Sequence, residues 1–318
     1  MKRSALLAGL IGLGLIAVLL ATNDLPAIGT ALRAAGWGIL LVVALHLPQT
    51  LFSALGWGPL IEPQLRPGLL FRLRFVREGV NALLPVAQIG GDVVRARLAQ
   101  RRGVPLRLGV AASLVDVSVE MVAQILFTLL GLALLLAGPH QPNAVRLALG
   151  AAAISAAIAI AFVLAQRVGL FRLIERAVER WASHERSEEM AGLHDTVVAL
   201  YQRRGALVAS GGFHLASWLL GVVETYAALQ VLGLAIDLRE ATVIEALGQV
   251  VRAFGFLVPG ALGIQEGGYL MICALFGIAA PQALALALIR RVREVLLGLP
   301  GLALWHRMER QPRKEALS

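Results

Sequence analysis

Residues 77–92 of the chain read REGVNALLPVAQIGGD, which places a proline, a glycine-containing turn and an acid within a largely apolar region. Proline removes a backbone donor and disrupts the preceding helical turn, whereas glycine tolerates positive φ. Non-helical backbone survives at membrane depth only where protein covers it or where it lines a water-filled cavity. The segment therefore predicts a re-entrant helical hairpin, with Asp92 near the start of the second half-helix, where a carboxylate can cap free N–H groups.

Residues 252–268 read RAFGFLVPGALGIQEGG and repeat this arrangement. An arginine precedes each proline, and an acid follows each proline by seven positions, Asp92 after Pro85 and Glu266 after Pro259. Inverted repeats with broken helices that meet near the midplane are typical of transporters. The alternative is that each segment is a loop between ordinary spans and that its acid serves only as a helix cap.

The composition of the whole chain indicates an all-α polytopic integral membrane protein. Of 318 residues, 58% are hydrophobic and 15% are charged, against about 45–50% and about 25% in soluble domains. The mean hydropathy is +0.76. The net charge of +9 comes mainly from arginines between apolar runs, so anionic lipid headgroups are expected as partners rather than nucleic acid. The single Cys273 excludes an internal disulfide and a CxxC metal site.

Apolar runs and arginine placement predict the topology. Two re-entrant hairpins, at 75–94 and 241–278, enter from opposite sides; eight full spans are the alternative. The Arg-rich loops 59–77, 95–107 and 166–204 and both termini are then cytoplasmic. A single transmembrane domain covers 1–305, including an amphipathic cytoplasmic segment at 166–204, and a charged cytoplasmic tail covers 306–318. Six full spans are expected, the first an uncleaved helix rather than a signal peptide: 5–21, 37–57, 108–137, 144–165, 206–232 and 281–305.

Charged residues also interrupt the apolar runs, where their burial in lipid is costly. Asp116 and Glu120 are four positions apart and share one helix face, which should point into the bundle. Glu224 lies within the fifth predicted span, and Arg290, Arg291, Arg293 and Glu294 interrupt the last one. The functional interpretation is a polar cavity whose arginines hold a phosphate or other polar headgroup while carboxylates carry protons or orient the arginines. The alternative is that these residues only form structural ion pairs.

Two sets of polar or turn-forming residues are therefore predicted to bind a lipid headgroup or to act in its transport. No cofactor or metal is predicted. The first set is Arg77, Glu78, Asn81, Pro85, Gln88, Gly90, Gly91, Asp92, Arg95, Asp116 and Glu120, and the second is Arg252, Pro259, Gly260, Gly263, Gln265, Glu266, Arg290, Arg291 and Arg293.

Residues 81–92 with Arg95, together with residues 258–267, resemble the signatures of the lysylphosphatidylglycerol synthase transmembrane-domain family. The length, the helix pattern and the QIGGD form at 88–92 resemble its stand-alone branch associated with hopanoid biosynthesis, HpnL. The resemblance implies a lipid flippase of the bacterial inner membrane that moves a hopanoid or another polar-headed lipid, with hopanoid or anionic phospholipid as its membrane partners. The synthases' aminoacyl-transferase domain is not expected here, so lipid lysylation by this chain is not expected either.

Two other functions remain open on sequence alone. A membrane enzyme acting on a lipid headgroup would need a catalytic motif, and the chain has no HExxH, no GxSxG and no Cys/His cluster. An assembly factor for lipid (hopanoid) biosynthesis would tolerate changes in both broken segments, residues 77–92 and 252–268. Assembly with copies of itself or with lipid-biosynthesis proteins is compatible with each of these functions. No P-loop is present, so ATP hydrolysis by this chain is not expected.

Overall fold

The computed structural model describes residues 18, 24–61, 65–84, 89–138, 150, 153, 157, 160, 164, 190–254 and 261–311. In these ranges the regular structure is entirely helical, which confirms that the protein is all-α. A short 3-10 helix spans Gly58–Leu60. The α-helices are α1 Leu25–Ala35, α2 Gly38–Trp57, α3 Pro67–Leu83, α4 Gly90–Gln100, α5 Leu106–Leu136, α6 Leu193–Gln202, α7 Arg204–Val231, α8 Leu238–Phe254, α9 Ile264–Ala274 and α10 Ala280–Arg310.

The ten described α-helices form two sets of five whose last three members match in length. The third members, α3 and α8, each have 17 residues, and the fourth members, α4 and α9, each have 11. The fifth members, α5 and α10, each have 31 residues. The first repeat, α1–α5, and the second repeat, α6–α10, therefore share one order of short and long helices.

The packing of the helices follows the same correspondence. Within each repeat the third, fourth and fifth helices pack in sequence, α3 on α4 and α4 on α5, then α8 on α9 and α9 on α10. Between repeats, α1 and α3 pack on α10, and their counterparts α6 and α8 pack on α5. Contacts that are reciprocal in this way are those of two units related by a two-fold axis.

The two central helices, α2 and α7, show the direction of that axis. Gly38 at the start of α2 lies against Val231 at the end of α7, and Gly56 near the end of α2 lies against His214 in the first half of α7. The two helices are therefore antiparallel. A two-fold axis that relates antiparallel helices runs across them rather than along them, so the two repeats point in opposite directions.

The polar interior lies between two apolar cores. One core contains Val42 of α2, residues 127–135 of α5 and residues 283–289 of α10. The other contains Ala54 of α2 and residues 111–115 of α5. Asp116 and Glu120 of α5 fall between these stretches, and Arg290, Arg291, Arg293 and Glu294 of α10 follow residues 283–289 directly.

Three described helical stretches are long and apolar enough to cross a membrane: Gly38–Leu60, Leu106–Leu136 and Arg204–Val231. They correspond to the predicted spans at 37–57, 108–137 and 206–232. The last predicted span, 281–305, is covered by α10. The predicted spans at 5–21 and 144–165 lie outside the described residues, apart from isolated positions in each, and most of the amphipathic segment lies outside them as well.

Several local predictions differ from the structure. Residues 67–77 were predicted to belong to a loop but form most of α3, and Arg74 there is buried. Arg95 was predicted to lie in a cytoplasmic loop but is 1% exposed on α4. Both departures have one cause, because acids on α3, α4 and α5 pair with these arginines and pull them into the interior. Helix α10 also continues to Arg310, through the start of the predicted tail.

The close approach of α3 to α10 leads to a stability prediction. A Cβ added at Gly79 would meet the Gly298 carbonyl oxygen at 2.8 Å and Gly301 Cα at 3.2 Å. Small residues let membrane helices pack backbone to backbone, and overpacking such a contact costs about 1–3 kcal/mol. We expect Gly79→Ala to lower the free energy of unfolding by that amount in detergent. The matched control is Gly212→Ala on α7, where an added Cβ meets nothing within 4 Å; equal stability of the two variants would contradict the packing.

Candidate functional site: two charge clusters

The first charge cluster lies where α3, α4 and α5 meet. Arg77 donates from Nε to Asp92 at 2.8 Å and from Nη2 to Glu120 at 3.5 Å. Arg74 binds Glu120 and Glu78, both at 2.8 Å. Helical spacing of three or four residues on each helix places these groups on one inward face. The members of the first cluster are Arg74, Arg77, Glu78, Asp92, Arg95, Asp116, Glu120 and His214.

Asp116 is the most deeply buried acid of the first cluster, with 0% of its surface exposed. Arg95 donates to it at 2.9 Å, and His214 Nε2 lies 2.8 Å from its other oxygen. Arg95 also binds Asp92 at 2.8 Å and stacks over the Trp57 ring at 4.4 Å. A buried charge is tolerated only when it is paired and hydrogen-bonded, and this arrangement supplies both.

The start of α4 depends on Asn81 and Gly91. The Asn81 side-chain oxygen accepts from the Gly91 backbone N–H at 2.8 Å, and an added Cβ at Gly91 would collide with the Arg77 carbonyl oxygen. Asp92 was predicted to lie where it can cap this helix, but its described bonds go to Arg77 and Arg95. Asn81 therefore satisfies a free donor at the start of α4 and leaves the Asp92 carboxylate to bind arginines.

The second charge cluster lies where α7, α8, α9 and α10 meet. Arg291 donates to Glu266 at 2.7 Å and to Glu294 at 2.8 Å, and Arg252 lies 3.4 Å from Glu294. Glu266 also accepts from the Gly263 backbone N–H at 2.7 Å, so the helix-cap position predicted for it is confirmed. The members of the second cluster are Glu224, Glu245, Arg252, Glu266, Arg290, Arg291, Arg293 and Glu294.

Two ion pairs of the second cluster are almost wholly buried. Arg290 binds Glu245, and both groups contact Thr225. Arg293 binds Glu224. Each of these four charged side chains is at most 4% exposed. Ion pairing between charged residues, which is one of the two interpretations of the sequence, is therefore present in both clusters.

The two clusters repeat one arrangement. Glu120 follows Asp92 by 28 residues, and Glu294 follows Glu266 by 28 residues. Glu120 binds Arg77 at 3.5 Å, as Glu294 binds Arg252 at 3.4 Å. An arginine before the broken segment thus meets a glutamate on the fifth helix in each repeat. The repeat predicted for residues 77–92 and 252–268 therefore extends to the long helices α5 and α10.

The exposed members of both clusters lie on the first helix of the broken segment. Glu78 of α3 has the most exposed side chain of the first cluster, at 29%, and Arg252 of α8 has the most exposed of the second, at 34%. These two side chains are the most accessible points of the two clusters.

The structure places most of the predicted site residues in these clusters or beside them. Gly90 begins α4, and Gln265 of α9 is 2% exposed. Pro85, Gln88, Pro259 and Gly260 lie outside the described residues.

Six cluster members or neighbours are absent from the two predicted sets. Glu224 and Glu294 stand out in the sequence only as charges within apolar runs, and the other four are Arg74, His214, His46 and Glu245. His46 and Glu245 lie in apolar runs, and the rule that ionisable residues inside a membrane are functional candidates would have found both. Arg74 was missed because its segment was assigned to a loop.

Comparison with protein families matches residues 5–301 to the lysylphosphatidylglycerol synthase TM region. The chain belongs to this family. The match spans both broken segments and both charge clusters, so this family member is a membrane protein of a lipid-related class. Comparisons with curated proteins and with solved structures give no match.

Proposed function

We propose that this family member is a lipid transporter of the flippase type. It moves a hopanoid or another polar-headed lipid through a polar path between its two broken segments. The observation that carries the proposal is the repetition of one buried charge arrangement in two oppositely directed repeats. Transporters of this kind bind substrate near the midplane, where broken helices of inverted repeats meet.

Helix lengths support two re-entrant hairpins. Helices α4 and α9 have 11 residues each, which corresponds to about 16 Å. The hydrocarbon core is about 30 Å thick. A helix half as long as the core cannot cross it alone, so each pair, α3–α4 and α8–α9, enters and returns on one side. Because the repeats point in opposite directions, the two hairpins enter from opposite sides.

Each cluster contains arginines and acids in nearly equal number. This balance supports transport in which an arginine exchanges a carboxylate partner for the lipid headgroup. The first cluster has three arginines and four acids, and the second has four of each. A guanidinium group can exchange a carboxylate for a phosphate or hydroxyl oxygen of a headgroup with little change in geometry. Glu78 and Arg252, the exposed members, make first contact, and the buried pairs then pass the headgroup between the repeats while the lipid tails remain in the bilayer.

Arginines at the ends of helices α4 and α10 support an orientation in which both chain termini lie in the bacterial cytoplasm and the helices lie in the inner membrane. Arg97 and Arg101 at the end of α4 lie beside Glu309 near the end of α10. Cytoplasmic ends of membrane helices carry an excess of arginine and lysine. The proposed partners at this surface are anionic phospholipid headgroups.

A strain that lacks the gene separates transport from enzymatic conversion. We expect every lipid species to be made in normal chemical form, with one polar-headed lipid accumulating in the wrong leaflet, because the proposed path moves lipid without changing it. Mass spectrometry of whole lipids and of leaflet-selective labelling products measures both quantities. Complementation with the wild-type gene is the control. A missing lipid species would instead identify a biosynthetic role and contradict the proposal.

A further inference from the structure

His46 is the residue that joins the two charge clusters. It lies near the middle of α2, where α2 packs on α7. Its Nδ1 is 2.8 Å from Glu224 of the second cluster, and its Nε2 is 3.8 Å from Glu78 of the first. Both ring nitrogens therefore face carboxylates, one from each cluster. His214 differs, since its Nδ1 has no partner among the described residues.

Charged groups face His46 from each helix packed around it. On α10, Arg293 Nη1 lies 3.3 Å from His46 Nδ1 and also binds Glu224. On α3, Arg74 binds Glu78, and on α5, Glu120 binds that arginine. Glu224 on α7 completes the set. Protonation of His46 therefore changes the charge at a point where both clusters are in contact.

The contacts of Nδ1 differ between the two protonation states of the ring. A protonated ring donates from Nδ1 to Glu224 and directs its other N–H toward Glu78. A neutral ring can leave Nδ1 unprotonated and accept from Arg293 instead. Arg293 binds Glu224 Oε1 while His46 Nδ1 faces Glu224 Oε2, so the protonation state of the ring decides which of these two neighbours Nδ1 contacts. His46 on α2 therefore contacts Glu224 of α7 in one protonation state and Arg293 of α10 in the other.

Exposure changes in steps along these residues. The side chains of Glu78, His46 and Glu224 are 29%, 16% and 2% exposed. Glu78 lies 3.8 Å from His46 Nε2, so a proton that passes between them needs one bridging water, whereas the ring can deliver a proton directly from Nδ1 toward Glu224 at 2.8 Å. Histidine is suited to this role because either of its two ring nitrogens can carry the proton while the other faces a second group.

We propose that His46, between Glu78 and Glu224, is a proton-binding site that couples lipid movement to proton movement. This inference rests on the proposed lipid transport and adds its energy source. In each cycle one N–H bond forms on the ring from a proton taken from water on one side, and one N–H bond breaks as a proton leaves on the other side. No electron transfer and no other reactant is involved.

The test uses purified protein in vesicles of phosphatidylethanolamine and phosphatidylglycerol. The vesicles carry a trace of headgroup-labelled phosphatidylglycerol or labelled hopanoid and enclose a pH-sensitive dye. We expect an inward gradient of about one pH unit, a roughly tenfold difference in proton activity, to speed wild-type lipid movement several-fold. The internal pH should fall in step with lipid movement.

His46→Gln is expected to move lipid at one rate with or without the gradient and to move no protons. His46→Lys, which keeps a fixed positive charge, should show the same loss of gradient response. The matched control, His306→Gln at an exposed position of α10, should respond as the wild type does. A gradient response retained by both His46 variants, or absent from an active wild type, would overturn the proton site and leave lipid transport standing. A wild type that moves neither lipid under any condition would overturn the proposed function itself.

Discussion

Replacing Glu266 with glutamine is expected to abolish lipid movement while the protein remains inserted and abundant. The Glu266 carboxylate binds both the Gly263 N–H and Arg291. Glutamine keeps an acceptor oxygen for the helix start but removes one of the two charges that bind Arg291, which leaves the guanidinium group paired with Glu294 and unable to exchange between Glu266 and a headgroup. Lipid distribution between leaflets, with protein quantity by immunoblotting, measures the effect in cells that carry only the variant.

Asp92→Asn tests the equivalent position in the first repeat and should have the same result. Its carboxylate binds Arg77 and Arg95, and asparagine retains one acceptor oxygen without the charge. Glu309→Gln is the matched control, since Glu309 pairs with Arg97, whose side chain is 58% exposed. Normal lipid distribution in both the Asp92 and the Glu266 variant would exclude these acids from the path.

Arg95→Met is expected to destabilise the protein more than any exposed arginine substitution. It would leave Asp116, at 0% exposure, with His214 as its remaining described partner and would remove the stacking on Trp57. Breaking a buried ion pair in this way costs about 3–5 kcal/mol. Denaturation of the purified protein in detergent gives the free energy of unfolding.

Two comparisons isolate the cause of that loss. Arg97→Met removes an arginine two positions further along α4, with a largely exposed ion pair, and should cost about 0–1 kcal/mol. The double variant Arg95→Met, Asp116→Asn removes both charges and should recover part of the stability, because neighbouring groups in one network couple. Equal stability of the Arg95 and Arg97 variants would show that the Asp116 pair does not stabilise the fold.

The long helices and the broken segments were predictable because local chemistry determines them. Apolar runs gave α2, α5 and α7, and the matched proline-to-acid spacing gave the correspondence between the two broken segments. Helix α1 was missed although its start carries clear signals, with Asp24 accepting from the Ala27 N–H at 3.0 Å and Pro26 in the first turn. That helix is short, and it lies between two strongly apolar runs, 5–21 and 37–57, whose hydropathy dominates this part of the sequence.

The partners within the clusters were not predictable because they are distant in sequence. Arg74 lies 46 positions from Glu120, and Arg293 lies 69 positions from Glu224. The positive-inside pattern assigns an arginine in a polar segment to water, and the ion pair of Arg74 with Glu120 on α5 reverses that assignment. His46 was not predicted for a related reason, since its two carboxylate neighbours, Glu78 and Glu224, come from different repeats and are distant from it in sequence.

The most direct test of lipid movement through the paired clusters is leaflet-resolved translocation by purified protein in vesicles. Wild type and Glu309→Gln should each move labelled hopanoid or headgroup-labelled phosphatidylglycerol faster than protein-free vesicles. The double variant Asp92→Asn, Glu266→Gln, inserted to the same level, should fall to the protein-free rate. Translocation at the wild-type rate by that double variant, or none by the wild type with either lipid, would contradict the proposed path.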